Sequence, residues 1–358
     1  MTVDRFYSSR RWLGFCAAMS SVPAGAVTAE LSGGGLAALP VSVVSGPTQP
    51  FYDWTAILAA RELPAPGPFG LLAGPQGGYQ THLLATPGAD QGEVGAALRA
   101  ALEEVGLPAM AMYLTTSDAA ALGAAGVEAL PVLLGADAWL PVPEEGWQAW
   151  TRSLGRSRGE MVRREIRRFE SAGYEIVDAP LSDWVGQAAA LLAGTEARYG
   201  HGGDYQRALT EQVRHLGSAA RVICCNPPGE PPVGFVLYYV HGDTLHLRSA
   251  GFDYERLRGA AEYFNLVFYL PIRRAAAAGV RWVHAGIEST QAKAMRGAEL
   301  RPLWLLDLSP GSLLGDRPDA VRTANSRTRA SISATPFLDR CWRLGDAASA
   351  WFEPRTLV

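Results

Sequence analysis

The chain has 358 residues, 48% of them apolar and 19% charged, with a net charge of -3. That balance supplies core material for two ordinary domains and excludes both a disordered chain and one drawn to nucleic acid by its overall charge. The sequence holds no apolar run of about 18 residues, which argues against a membrane-spanning helix, and its four cysteines lack C-x-x-C spacing, which argues against a zinc or other metal site.

At the N-terminus, Ser9-Arg-Arg-Trp-Leu-Gly-Phe15 has the outline of a twin-arginine export signal, but Asp4 lies in the charged region and the apolar run stops at Ser20-Ser-Val-Pro23. An opening amphipathic helix carrying Phe6, Tyr7, Trp12, Leu13 and Phe15 is the preferred reading, in a cytoplasmic protein. Ala38–Ser45 and Gly70–Ala73 read as strands separated by Pro- and Gly-rich turns, with Gln80–Ala85 another short one. Glu93–Val105 repeats apolar residues at helical spacing and stops at Gly106 and Pro108. Met110–Leu114 reads as a strand, Ser117–Gly126 as a short helix with a Thr-Ser-Asp cap signal, and Val132–Leu134 and Ala138–Leu140 as edge or bulged strands.

The composition then changes. Arg152, Arg156, Arg158, Arg163, Arg164, Arg167 and Arg168 face only Glu160 and Glu165, so this stretch is either a solvated, salt-bridged helix face or a contact for phosphate or RNA. Tyr174–Val177 reads as a strand, Asp183–Tyr199 as a helix, and a second helix runs to Leu216. Arg221–Cys225 and Gly234–Val240 read as antiparallel strands, and Thr244–Asp253 alternates apolar and polar residues as a half-buried strand does. Arg256-Leu-Arg-Gly-Ala-Ala261 follows, an R-x-x-G-x-A turn opening the helix Glu262–Gly279, which Pro271 should kink. Such a turn offers orphan backbone N–H groups and the positive end of a helix dipole, which suits a phosphate-bearing acyl donor. Val280–Gly286 is an apolar strand, Arg317–Arg329 a polar basic segment that is either flexible or touches a polyanion, and Pro336–Phe352 a segment packing back on the body.

The order strand, helix, helix, three meandering strands, helix, strand resembles the Gcn5-related N-acetyltransferase (GNAT) superfamily. More narrowly, the second half resembles the FemAB-like tandem acyltransferases of the peptidoglycan biosynthesis or recognition type. The resemblance rests on the Arg-rich Ser153–Ile176 stretch, Val233-Gly-Phe-Val-Leu-Tyr-Tyr239, His241-Gly-Asp-Thr-Leu245, Glu262-Tyr-Phe-Asn-Leu-Val-Phe-Tyr269, Lys293-Ala-Met-Arg-Gly-Ala298 and Pro302-Leu-Trp304. It covers about residues 145–310 well, and the first half more loosely through Leu71-Leu-Ala-Gly74 and Gly78-Tyr79. It implies an α+β fold of two tandem GNAT-like domains, each a mixed, mostly antiparallel sheet flanked by helices. The implied division is 1–146, 147–312 with the active site, and a tail over 313–358.

Family members move an acyl group to an amine from acyl-CoA or from aminoacyl-tRNA. The expected activity is transfer of an aminoacyl group from tRNA to an amine or hydroxylamine of a small molecule, in specialised metabolism such as antibiotic biosynthesis. An acyl-CoA-dependent enzyme of the same fold and a non-catalytic GNAT-like binding protein are the alternatives. The chain lacks the long charged coiled-coil insertion of several peptidoglycan-bridge enzymes, which argues against a cell-wall acceptor. No tightly bound cofactor, DNA or membrane partner is expected, and the protein is read as a monomer or homodimer.

On this reading Ser249, Ala250 and Gly251 present backbone N–H groups to the acyl carbonyl or a pantetheine-like arm. Arg256, Arg258 and Gly259 hold a phosphate, and Lys293 and Arg296, on one helical face, grip a carboxylate, a phosphate or the tRNA end. Asp253 and Glu262 flank the donor as candidate bases, and His246 and His284 stand on the two strands expected to diverge. Tyr269 is either a proton donor to the leaving group or a core aromatic, and Glu288 pairs with Lys293 or with the acceptor amine.

Overall fold

The computed structural model describes residues 5–46 and 48–353. By its contacts the chain forms two units, Met1–Asp137 together with Leu300–Val358, and Ala138–Glu299, so the boundaries fall at 137/138 and 299/300 where the sequence suggested 146/147 and 312/313. In chain order the strands are β1 (Ala24–Glu30), β2 (Leu36–Ser45), β3 (Phe69–Ala73), β4 (Leu84–Ala85), β5 (Ala109–Leu114), β6 (Val132–Pro141), β7 (Glu175–Pro180), β8 (Arg221–Asn226), β9 (Gly234–His241), β10 (Thr244–Phe252), β11 (Trp282–His284) and β12 (Glu299–Asp307).

The first unit orders its strands β1-β2-β3-β5-β12, with β4 on β2. Strands β3 and β5 run parallel, Leu72 opposite Met110, as a helical crossover requires. The connecting helix, Gln91–Val105, is capped by Asp90 and buries Val94, Leu98 and Leu102 at four-residue spacing. It ends in Gly106 at φ +68°, a left-handed residue that suits glycine. Beyond β3 and β5 the chain fills the gap between them itself. Thr81 bridges Leu114 and donates to the Met112 carbonyl at 2.6 Å. Gly74 approaches so closely that a Cβ there would stand 2.1 Å from the Thr81 hydroxyl. His82, next along, is 2.9 Å from the Asp118 carboxylate, which pins this plug in place.

The N-terminal expectation is met in part inside this unit: the helix Arg10–Met19 buries Trp12 and Phe15 but leaves Leu13 half-buried, and Phe6 and Tyr7 are buried in a separate turn, Phe6–Ser8, ahead of it. The basic segment 317–329 is regular structure. It lies in the helix Pro318–Ile332, whose buried Asn325 accepts from Leu133 at 2.7 Å and donates to Pro131 and Trp351. Arg322, Arg327 and Arg329 pair with Asp319, Glu62 and Asp339.

The second unit orders its strands β6-β11-β10-β9-β8-β7, antiparallel except where β10 meets β11. Strand β6 is continuous, not two edge fragments, and pairs Leu140 with Val283. Helices Val185–Ala197 and Tyr205–Leu216 connect β7 to β8. Between β10 and β11 a helical segment runs from Glu262 to Ala277, with a π-helical stretch at Asn265–Tyr269. The wider turn lies just ahead of Pro271, where it accommodates the ring and the missing N–H, so the expected kink takes the form of a π insertion.

Candidate active site

Strands β10 and β11 pair for three residues, ending at His246 and His284, and then part, because β11 stops there while β10 runs on to Phe252. Immediately past the fork β10 has a bulge between Leu247 and Ser249, with Arg248 as the extra residue. Ser249, Ala250 and Gly251 pair with β9 alone among the described residues, so their other edge faces the gap. Ser249 and Ala250 thus stand where a carbonyl could be met by backbone. Gly251 has a packing reason: a Cβ there would come within 2.6 Å of the backbone of Leu191 and Leu192. The same crossing helix ties down the strand end, Thr195 accepting the Phe252 N–H at 2.8 Å.

The turn after β10 holds its own anion. Glu262 is 3% exposed, and its carboxylate accepts the N–H of Arg258 at 2.8 Å and the hydroxyl of Tyr174 at 2.9 Å. Burial and this carboxylate push the Tyr174 phenol up to about 12. The two arginines expected to bind phosphate are engaged locally. Arg256 reaches Glu230 at 2.8 Å and Asp253 at 3.6 Å, while Arg258 donates to the Ala172 carbonyl and lies 5.1 Å from the Tyr174 ring centre. Asp253 and Glu262, nominated as bases, are therefore both committed. What stays open is the crest of the turn, since the N–H groups of Gly259, Ala260 and Ala261 meet no acceptor among the described residues. Gly259 has φ +64°, and a Cβ on it would stand 3.7 Å from the Arg168 guanidinium.

Tyr269 and Arg296 are brought together, but in the interior. The buried Arg296 guanidinium reaches Glu165 at 2.9 Å, the Tyr269 oxygen at 3.0 Å and the Ala292 carbonyl at 3.1 Å, and it lies 3.6 Å from the Phe264 ring centre. Tyr269 also donates to Glu165, and burial pushes its phenol upward. Tyr269 is thus a core aromatic and Arg296 a structural cation, and Lys293 is buried on the short helix Thr290–Met295 that ends just before Arg296. The tyrosine at the fork is Tyr263, which sequence reasoning passed over. Its ring stands 5.8 Å from Phe252, at the end of β10. Burial pushes its phenol upward, and Ser289 and the exposed Glu288, both just past β11, lie near enough to influence it. Position alone in the first turn after the R-x-x-G-x-A motif could have pointed to it.

His246 and His284 close the base of the fork. Paired residues share a sheet face, and Trp139 opposite His284 extends the row, with ring centres 4.7 Å apart and the two imidazoles at 5.5 Å. Burial, then the neighbouring imidazoles of His284 and His241, hold His246 well below the usual histidine range, so it is neutral at physiological pH.

The arginine stretch forms the helix Arg156–Ser171, which buries Gly159, Val162, Ile166 and Phe169 on one stripe. Arg156 pairs with Glu160 at 3.3 Å, and Arg158 turns inward toward the Ala294 carbonyl. Glu165 is withdrawn from the surface by Arg296. Arg163, Arg164, Arg167 and Arg168 are exposed, with no acidic partner among the described residues, and Arg152 is exposed just ahead of them.

Residues 156–294 match the family model for the acetyltransferase (GNAT) domain. No curated protein matches the sequence. Among solved structures the chain is similar to FemX, at 11% identity and a TM-score of 0.57, over 86% of this chain and 92% of that one. It is also similar to the C-terminal domain of an Agrobacterium fabrum protein assigned as a lysylphosphatidylglycerol synthetase, at 12% identity and a TM-score of 0.54, over 87% of each. A conserved Bacteroides thetaiotaomicron protein of unknown function aligns at 13% identity and a TM-score of 0.51, over 84% of this chain and 90% of that one. At such identities the likeness is one of fold.

Proposed function

We propose, from the premise that residues 156–294 belong to the GNAT family and make this protein an acyltransferase, that it moves an aminoacyl group from charged tRNA to an amine or hydroxylamine of a small molecule. The observation that carries the choice of donor is the set of four unneutralised arginines, Arg163, Arg164, Arg167 and Arg168, ending beside Gly259 of the donor turn. A row of exposed cations on one helix suits a polyphosphate strand. The turn itself suits a diphosphate less well, because the buried Glu262 carboxylate already fills part of it and like charges so close repel.

In this reading the donor carbonyl lies along the open edge of β10 at Ser249 and Ala250, whose backbone stabilises the developing oxyanion. Glu288, exposed beyond β11, attracts the acceptor as an ammonium. The imidazoles of His246 and His284 at the fork are placed to take the amine proton, and Tyr263 returns one to the departing ribose oxygen. Such a reaction belongs in the cytoplasm, where charged tRNA is found.

The second reading, acyl-CoA as donor, is favoured by one feature, the open N–H groups of Gly259, Ala260 and Ala261 at a helix start. Binding measured across a salt series decides between them. Charged tRNA should bind with affinity falling steeply as salt rises, and tight CoA binding at all salt concentrations without tRNA binding would replace the donor. Absence of transfer from either donor, with binding intact, would favour a silent GNAT-like binding protein.

A further inference from the structure

A pocket of about 230 Å³ opens in the second unit behind the donor turn, and none of the residues assigned above to acyl transfer is needed to explain its shape. Ile166 and Phe169 of the arginine-bearing helix form one wall. Tyr174 stands 5.4 Å from Phe169, ring centre to ring centre, with the two planes only 31° apart. Ile176, on the edge strand β7, lies at the pocket and is 41% exposed, so it stands at the mouth. The far wall is the π-helical stretch, which brings in Asn265.

Asn265 is 2% exposed, and its amide nitrogen is committed to the carbonyls of Ala261 at 2.9 Å and Glu165 at 3.3 Å. That fixes the orientation of the amide and leaves Oδ1 as an acceptor that no described residue fills. Apolar and aromatic walls with one oriented acceptor suit a flat heteroaromatic ring bearing an exocyclic amino group. The pocket also touches the donor turn directly. The Tyr174 hydroxyl contacts the Arg258 N–H at 3.1 Å, and Asn265 bonds Ala261. Arg273 at the lining is paired with Glu170, also at the lining, at 3.5 Å, so the positive charge for the attached phosphates comes from Arg168 beside Gly259.

We infer that this pocket receives an adenine ring, the base that terminates charged tRNA and that also terminates CoA. The inference deepens the donor reading above and rests on it only in requiring an adenine-bearing donor. The ring stacks on Tyr174 and Phe169, and its amino group donates to Asn265 Oδ1.

The test uses the full chain with adenosine and uridine monophosphates as probes, then with each donor. Adenosine monophosphate should bind at least tenfold more tightly than uridine monophosphate, whose base has no amino group. Ile176→Trp, at an exposed edge position, should fill the mouth, abolish that preference and leave the melting temperature unchanged. Should the tryptophan disturb folding, Ile176→Ala serves instead, with adenosine monophosphate affinity falling about tenfold, the equivalent of about 1.4 kcal/mol. A tenfold rise in KM for charged tRNA on Ile176→Trp identifies the tRNA end as the source of the adenine. The same rise for acyl-CoA identifies CoA, leaving the pocket assignment intact while the tRNA reading fails. Equal binding of the two nucleotides, or an unchanged KM for whichever donor is used, overturns the inference.

Discussion

Glu262 reaches back four residues to accept the backbone N–H of Arg258 at 2.8 Å, so the turn that most invites a phosphate already contains a buried carboxylate. The sequence around this turn carries the marks of an anion site, and the structure answers with an anion of its own. Glu262→Gln should keep the acceptor oxygen and remove the charge. Inorganic pyrophosphate and CoA are then expected to bind at least tenfold more tightly than to the parent protein, with a loss of about 1–2 kcal/mol in stability from the weakened hydrogen bonds. Calorimetric titration checks this. Equal CoA affinity in the two proteins would mean that Glu262 does not exclude a diphosphate.

The arginine row predicts a salt effect. Arg163, Arg164 and Arg167 are exposed, so replacing all three with alanine should leave the melting temperature within a degree or two. If each neutralises one phosphate, the slope of log affinity for charged tRNA against log salt should fall by about 2–3. Filter binding at four or more salt concentrations measures it, and an unchanged slope removes the row from tRNA recognition.

Two tyrosines six residues apart should respond in opposite ways. Tyr263→Phe removes a phenol beside the end of β10 and should lower kcat on the order of 100-fold with little change in stability. Tyr269→Phe removes a donor from the buried Glu165–Arg296 pair and should cost about 1–3 kcal/mol with kcat preserved. Steady-state kinetics and denaturant unfolding on the same two variants separate the roles, and a reversal of the pattern would return Tyr269 to the site.

Much of this arrangement is legible locally. The alternation from Thr244 to Asp253, the turn after it and the helix beginning at Glu262 are all short-range patterns, and the fork follows from them once β11 is placed beside β10. Strand β1 escaped because Ala24–Glu30 is rich in small residues and buries Val27 alone on an edge, so no period-two signal exists to read. Strand β12 escaped because Arg301 and Pro302 interrupt its apolar run. The roles of Arg296 and Tyr269 were illegible for another reason. Their partner, Glu165, lies 131 and 104 residues away, and from sequence alone it counted as a surface charge balancing the arginine helix. Once Arg296 and Glu165 are paired indoors, both the donor grip and the neutralising acid disappear from the surface, and the net positive character of that helix rises.

The histidine that pins the plug in the first unit sets an acid limit on stability. His82 is buried, with Asp118 at 2.9 Å from Nδ1 and the Gln80 side chain at 3.4 Å from Nε2. Burial, with some help from Arg5, holds its imidazole below the ordinary value of 6.5 despite Asp118, and His246 is shifted in the same direction. A histidine whose pKa is lower folded than unfolded takes its proton more readily in the unfolded chain. Its contribution is therefore complete above about pH 6.5 and shrinks as pH falls toward the folded pKa. The carboxylates act in a lower window. Asp118 is held below 3.8 by its hydrogen bonds from His82 and Thr115, although burial pushes the other way, so its contribution is lost only in stronger acid. Melting temperatures recorded from pH 8 to pH 5 should be flat to about 6.5 and then decline. His82→Gln, which keeps a hydrogen-bonding side chain without the titration, should lower the plateau and make the decline shallower, with His246 sustaining what remains. A melting temperature that stays level or rises between pH 6.5 and 5 would show that neither imidazole is held neutral by its surroundings.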